Sequence, residues 1–374
     1  MRILYSHGVR LHDGEEMHVD ALARAFRAAG QVVTVAGAGF SGMGALRRVV
    51  PASAEWVELA NNYRAALRLR RACDAFKPDL IYERCSLFFS AGARVAKPTR
   101  TLFYLEVSAP LAHERMKYET LALAPRASRM ELEVWRAADR VLPVTEEMAD
   151  IVAAAGVSRA KISVIPNGVD LAQFARRRPR KADRPVSLGW VGFVRGWHGL
   201  DQVIEGMAAQ PGGAASTLTI VGDGPARPDL ERLAARLKLA DRVTFTGAVA
   251  SETVAALLAG IDIALQPRVM PYALPLKLFD CMAAGCAIVA PDQKNIREVL
   301  SHGKNAVLFD PEQPQLMWNA VQWLIEEPAL RARLGTAART WIERENRTWA
   351  ANAARIVALA AEDLAHRRAP LAGS

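Results

Sequence analysis

The segment PLKLFDCMAAGCAIVAPD (275–292) carries a cation and an acid three positions apart, Lys277 and Asp280. They share a helical face that differs from the apolar stripe of Phe279, Met282, Ala283 and Cys286. Pro275 suits the start of that helix, since it has no N–H to leave unpaired. Asp280 is expected in the first turn, where the positive helix end favours an acid. Lys277 sits there against the dipole, at a cost of roughly 0.3–1 kcal/mol unless an anion lies nearby. A phosphate is such an anion, because helix N-termini offer unpaired N–H groups. Asp280 then suits a ribose diol. An exposed Lys277–Asp280 ion pair of little energetic value is the competing reading.

Two further loops have the composition of a phosphate site. GFVRGWHG (192–199) follows an apolar strand, places glycines at 192, 196 and 199, and carries one permanent cation, Arg195. Gly192 allows the backbone to approach a ligand closely, whereas Arg195 taken alone also fits a surface arginine. VGDGP (221–225), with Gly222, is a strand followed by a tight glycine turn, a weak indication by itself.

These loops need a scaffold, and the chain supplies one by alternation. Strand-like runs are expected at 2–8, 32–37, 80–85, 101–107, 140–146 and 162–168, and again at 186–193, 217–224, 242–249, 262–267, 286–292 and 306–310. Amphipathic helical stretches such as 17–30 and 61–76 lie between them. That alternation implies an α/β protein with two doubly wound, Rossmann-like parallel sheets. Ligands in such sheets bind beyond the carboxyl ends of the strands. The expected division is 1–175, a basic proline-bearing linker over 176–185, a second domain over 186–345, and a helical tail over 346–374 that packs back across both domains.

The bulk properties agree. At 374 residues the chain is long enough for two cores. No apolar run approaches a membrane span, and the first residues lack a signal-peptide core, so a cytoplasmic location is expected. Cys73, Cys85, Cys281 and Cys286 have no metal-ligand spacing and read as reduced thiols. A net charge of +9 favours anionic partners. Nucleic acid ranks last among these, because no zinc-finger or RNA-recognition pattern occurs.

Taken together, the sequence resembles the family 4 glycosyltransferases, enzymes of the GT-B fold that use nucleotide sugars with retention of configuration. The resemblance rests on IPNGVD (165–170), VGFVRGWHGLD (191–201), TIVGDGP (219–225), RVTFTGAV (242–249), PLKLFDCMAAGCAIVAPD and IREVLSHGKNAVLFDP (296–311). In the first half DGEEMHVDALARAFRAAG (13–30), IYER (81–84) and LEVSAPL (105–111) extend it. It implies two domains facing across a cleft, with the first domain receiving the acceptor. It implies that Arg195 and Lys277 hold the donor diphosphate and that Asp280 binds the ribose. Gly192, Gly222, Val249 and Leu276 would line the donor, with Asp13 and Gly14 facing it from the first domain.

The sequence also departs from the family. Asp280 replaces a glutamate, and Tyr272 stands where an earlier sugar-contacting glutamate is usual, which leaves the sugar unspecified. Glu106 occupies a position often held by a histidine. It fits an oxocarbenium stabiliser, an acceptor-orienting group or a plain strand-end carboxylate. His18 is an acceptor-side candidate or a residue of the first helix face.

No D-x-D occurs, so transfer without a metal or other cofactor is expected, the two cations neutralising the diphosphate instead. The acceptor is a glycan, a lipid-linked or a small-molecule hydroxyl. Arg47 and Arg48, with the arginines of 61–76, would touch an anionic membrane, unless these are a loop and a solvated helix face. The alternatives are a sugar-nucleotide epimerase and a catalytically lapsed nucleotide-sugar sensor. A phosphorylase needs a longer chain, and a periplasmic-type binding protein needs a signal peptide.

Overall fold

The computed structural model describes residues 1–8, 14–37, 51–176, 184–209 and 216–368. Asp13, Arg47, Arg48 and most of the expected linker lie outside these residues. The chain forms two compact units, Met1–Pro166 with Trp349–Ser374, and Asn167–Thr348. Residues 167–175 therefore go with the second unit, not the first, and the last helix returns to the first.

The first unit runs β1 Arg2–His7, α1 Gly14–Ala28, β2 Val32–Gly37, α2 Pro51–Phe76, β3 Leu80–Arg84, α3 Ala91–Thr99, β4 Leu102–Val107, α4 Leu111–Tyr118, α5 Ala124–Ala137, β5 Arg140–Pro143 and α6 Glu146–Ala154. Its five strands are ordered β2-β1-β3-β4-β5, and every pairing is parallel. β3 and β4 are buried along their whole length, as expected of strands covered on both faces. The expected strand at 162–168 does not form. Ile162 makes one isolated bridge to Val141, and Ser163 and Ile165 donate to the carbonyls of Val141 and Pro143. Pro166 then has no N–H with which to continue the ladder.

The second unit runs β6 Val186–Val191, α7 Leu200–Ala209, β7 Ser216–Val221, α8 Arg227–Arg236, β8 Val243–Phe245, α9 Ser251–Gly260, β9 Ile263–Leu265, α10 Leu276–Ala283, β10 Ala287–Pro291, α11 Lys294–Arg297, β11 Val307–Phe309, α12 Gln315–Glu326 and α13 Pro328–Arg344. Its parallel sheet is ordered β11-β10-β9-β6-β7-β8. The strand order reverses between β9 and β6, the kind of switch point at which open sheets leave a crevice. The apolar stripe of Phe279, Met282, Ala283 and Cys286 is fully buried.

α14, Trp349–Arg368, completes the first unit. Ala353, Ile356 and Ala360 enter one core with Ile3, Tyr5, Val19, Leu22 and Phe26. Asp363 accepts from Tyr104 Oη and pairs with Arg140 at 2.7 Å. The tail helices thus divide between units, with α12 and α13 in the second and α14 in the first.

Candidate functional site

In the second unit the glycine loops after β6 and β7 are fastened to each other. Gly192 N–H donates to Val221 O at 2.9 Å, and Val194 N–H donates to Asp223 O at 2.8 Å. Both Gly192 and Gly222 have positive φ, +141° and +131°, and a Cβ on Gly222 would stand 2.0 Å from Gly192 O. Only glycine fits such a contact. The VGDGP turn, weak as a motif, is half of this clasp.

Lys277 lies on the clasp. It is the second residue of α10, which begins at Leu276 because Pro275 is extended and forms the N-cap. Its Nζ stands 3.7 Å from the centroid of the Trp190 ring and 3.3 Å from where a Gly192 Cβ would be. Lys277 and Asp280 form no ion pair with each other or with any other described residue, which removes the surface-pair reading. Asp280 falls one turn later than expected, in the fifth position of α10. Burial lowers the Lys277 ammonium to about 7 and raises the Asp280 carboxyl to about 7. A cation kept partly desolvated on an aromatic face, without a carboxylate, is prepared for an anion from outside.

Arg195 flanks the same place, its guanidinium 5.0 Å from the Phe193 ring and 4.8 Å from the Trp197 ring. Two groups at this site escaped the sequence reading. His198 lies against Trp190, with ring centroids 4.9 Å apart. Its Nδ1 accepts the Arg195 N–H at 3.3 Å, so the ring proton belongs on Nε2. Burial first, then Lys277 and Arg195, holds His198 down to about 3, so near neutral pH it is an uncharged donor. Arg268, beyond β9, runs its Cγ within 3.2 Å of the Gly199 Cβ position. Neither belongs to a periodic pattern, and only the W-H-G order beside Arg195 gave a signal.

The loop into α10 is pinned from two sides. Asn167 Nδ2 donates to Leu274 O at 2.6 Å, and Asn295 Nδ2 donates to Met270 O at 2.8 Å and Ala273 O at 2.5 Å. This gives the asparagine of IPNGVD a structural task, since it positions the lysine helix. Tyr272 is buried in that loop, Leu276 opens α10, and Val249 packs partly buried against the neighbouring core.

In the first unit, Glu106 is enclosed. Tyr82 Oη donates to Oε2 at 2.7 Å, Arg84 donates to Oε1, and His18 Nε2 stands 2.8 Å from Oε1. Burial pushes this carboxyl up, but His18, Arg84 and Tyr82 outweigh it and hold it at about 2. Glu106 and His18 are both 3% exposed, and the His18 ring meets Trp349 edge-on at 4.7 Å. His18 thus lies on the inner face of α1 and is not open to an acceptor. Gly14 begins α1. Among the described residues no group of three or more His, Cys, Asp or Glu could hold a metal ion.

Two family models tile the chain. Residues 12–173 match Glycosyltransferase Family 4, and residues 172–341 match Glycosyl transferases group 1. The chain belongs to glycosyltransferase family 4. It is 31% identical over 160 residues to alpha-D-kanosaminyltransferase of Streptomyces kanamyceticus, covering 42% of this chain and 41% of that one. It is 27% identical over 237 residues to 2-deoxystreptamine glucosyltransferase of the same organism, covering 59% and 60%. The matches thus span about half the length of these relatives. The crystal structure of Anabaena HepE in complex with UDP-glucose superposes with a TM-score of 0.76 at 18% identity, over 97% of this chain and 100% of that one. That likeness establishes the GT-B fold of this family 4 member.

Proposed function

We propose that this family 4 protein transfers a hexosyl group from a nucleoside-diphosphate sugar to an acceptor hydroxyl, with retention and without a metal, in glycan, polysaccharide or glycolipid assembly. The observation that carries the reading is Lys277, a cation without a carboxylate, held on Trp190 beside the Gly192–Gly222 clasp. The named activities of the relatives and the UDP-glucose complex of HepE support it.

In this reading the donor diphosphate lies over Gly192, with Lys277 and Arg195 on its oxygens and His198 Nε2–H as a neutral third donor. As the glycosidic bond breaks, negative charge grows on the diphosphate, so fixed cations act mainly in the transition state. The leaving phosphate oxygen takes the acceptor proton, and the acceptor oxygen bonds to the anomeric carbon on the face just vacated. The nucleoside diphosphate leaves with that proton. Asp280 accepts from the ribose. Glu106, enclosed by Tyr82, Arg84 and His18, acts as a positioning group beneath the first unit's surface.

A thermal-shift series of UDP-, GDP- and ADP-sugars on wild type and Lys277→Ala tests this. One nucleotide sugar should stabilise wild type as its concentration exceeds Kd and leave the variant unmoved. Equal shifts in both proteins, or none in wild type, would refute the site.

A further inference from the structure

The crevice between β9 and β6 is flanked by two loops, 192–199 after β6 and 266–275 after β9. Neither loop holds a carboxylate. The first carries Arg195 and His198, and the second has a single charged residue, Arg268. Lys277 follows in the first turn of α10. Three cationic side chains thus flank one crevice.

Arg268 is set in place. Its Cγ, Cδ and Nε lie 3.2, 3.3 and 3.4 Å from the Cβ position of Gly199. The arginine stem therefore fills the space that this glycine leaves beside His198. The β6–β9 register sets Gly189 beside Ala264, and continuing it brings Arg268 to the level of Phe193, the ring that Arg195 approaches. The backbone of this loop is fixed by Asn167 and Asn295, which hold the carbonyls of Met270, Ala273 and Leu274. Arg268 makes no ion pair or hydrogen bond with another described residue. Beneath it Gln266 is 1% exposed, and neither of its amide atoms is bonded. A buried amide left so costs about 1–3 kcal/mol, and it gives the crevice a polar floor that suits a hydroxylated ring.

Counting charge then decides the class of sugar. The diphosphate of a nucleotide sugar carries one negative charge on each phosphate, and Lys277 and Arg195 match these two. Arg268 is left over, among like charges that repel it.

We propose that the transferred sugar is a hexuronic acid, its C5 carboxylate gripped by the Arg268 guanidinium. The inference rests on the donor reading above and adds the class of sugar to it. A guanidinium fork meets a carboxylate through two parallel hydrogen bonds. Tyr272 agrees with this, because the glutamate usual at its place would repel a sugar carboxylate and a phenol does not. A neutral hexose would leave Arg268 without an anion, and an amino sugar would be repelled by all three cations. The transfer step is unchanged, and the sugar carboxylate takes no part in it.

The test is calorimetric titration of the full chain with donors matched except at C6. UDP-glucose, UDP-galactose and GDP-mannose are each set against the corresponding uronate, with UDP and GDP alone as references. One uronate should bind about 10–100-fold more tightly than its neutral counterpart, the worth of a charged hydrogen bond. Arg268→Met should bring that ratio near one, and Arg268→Lys should retain part of it. A wild type that binds every uronate no better than its neutral counterpart would overturn the proposal. So would a ratio that survives in Arg268→Met. An equal loss in that variant for UDP, GDP and every donor would also overturn it, by making Arg268 a third diphosphate cation. A neutral donor that binds best and depends on Lys277 would refute the sugar class and leave the donor reading standing. Binding of none of these ligands would refute both.

Discussion

Lys277→Met should make the free protein more stable while destroying donor recognition. In the folded chain the Lys277 ammonium is lowered from 10.5 to about 7, chiefly by burial. Each tenfold loss of proton affinity is worth about 1.4 kcal/mol, so the buried ammonium costs the fold about 5 kcal/mol at pH 6. The Trp190 face returns about 1–2 kcal/mol of that, and partial contact with water screens part of the rest. A net gain of about 2 kcal/mol for methionine, a side chain of similar length, is the working figure. In a unit of this size it corresponds to a rise of about 4–8 °C in Tm.

The pH dependence gives the sharper check. The folded pKa lies below the unfolded one, so between about 7 and 10.5 the unfolded chain binds more protons. Wild-type stability should therefore climb with pH across that window. The cost is complete below pH 7 and gone above pH 10.5. Differential scanning fluorimetry from pH 6 to pH 10 should show the variant ahead at low pH and the gap closing as pH rises. A variant less stable than wild type at pH 6, or a gap that stays constant, would refute the picture of a desolvated cation awaiting an anion.

The same lysine should make donor binding consume a proton. Calorimetry at pH 8.5 in buffers of different ionisation enthalpy should report uptake approaching one proton per nucleotide sugar, absent in Lys277→Met. Arg195→Ala should lower turnover by about 10²–10³, measured as release of nucleoside diphosphate with acceptor present. Gly222→Ala should cost about 3 kcal/mol or more, because its Cβ meets Gly192 O, and urea unfolding of the second unit reads it. Glu106→Gln should destabilise the first unit by about 3–5 kcal/mol, since it leaves Arg84 buried beside an uncharged partner. The wild-type carboxylate should support the fold at neutral pH and lose that support as pH falls below the usual carboxylate range toward about 2.

Much of the scaffold was legible because hydrophobic period is a local property. β1 and β2 fall where the β-branched runs stand, and the three tail helices occupy the 313–366 stretch. The run at 162–168 misled because apolar content says nothing about whether a neighbouring strand is available beyond a proline. Within the site, Lys277, Asp280 and Arg195 were visible as charges in unusual settings. Trp190 was not, although it decides the state of Lys277. Its ring reaches the lysine only because β6 sits beside β9 in the sheet, a pairing that the linear order hides. His198 was overlooked for a related reason, since its fixed tautomer depends on the backbone of a neighbour, Arg195. Glu106 was noticed as an acid at a strand end. Its enclosure by residues from α1 and β3 could not be read from β4 alone.

The return of α14 to the first unit bears on how the molecule is made. Asn167–Thr348 is one uninterrupted stretch and can fold as it leaves the ribosome. The first unit cannot finish its core at that point, because Ala353, Ile356 and Ala360 follow Thr348 and have yet to emerge. Until they arrive, α1 lacks the helix that covers Leu22 and Phe26, and Tyr104 and Arg140 lack Asp363. A segment translated after the second unit thus closes the unit translated before it, so a nascent chain that has emerged only as far as Thr348 can complete the core of the second unit but not that of the first.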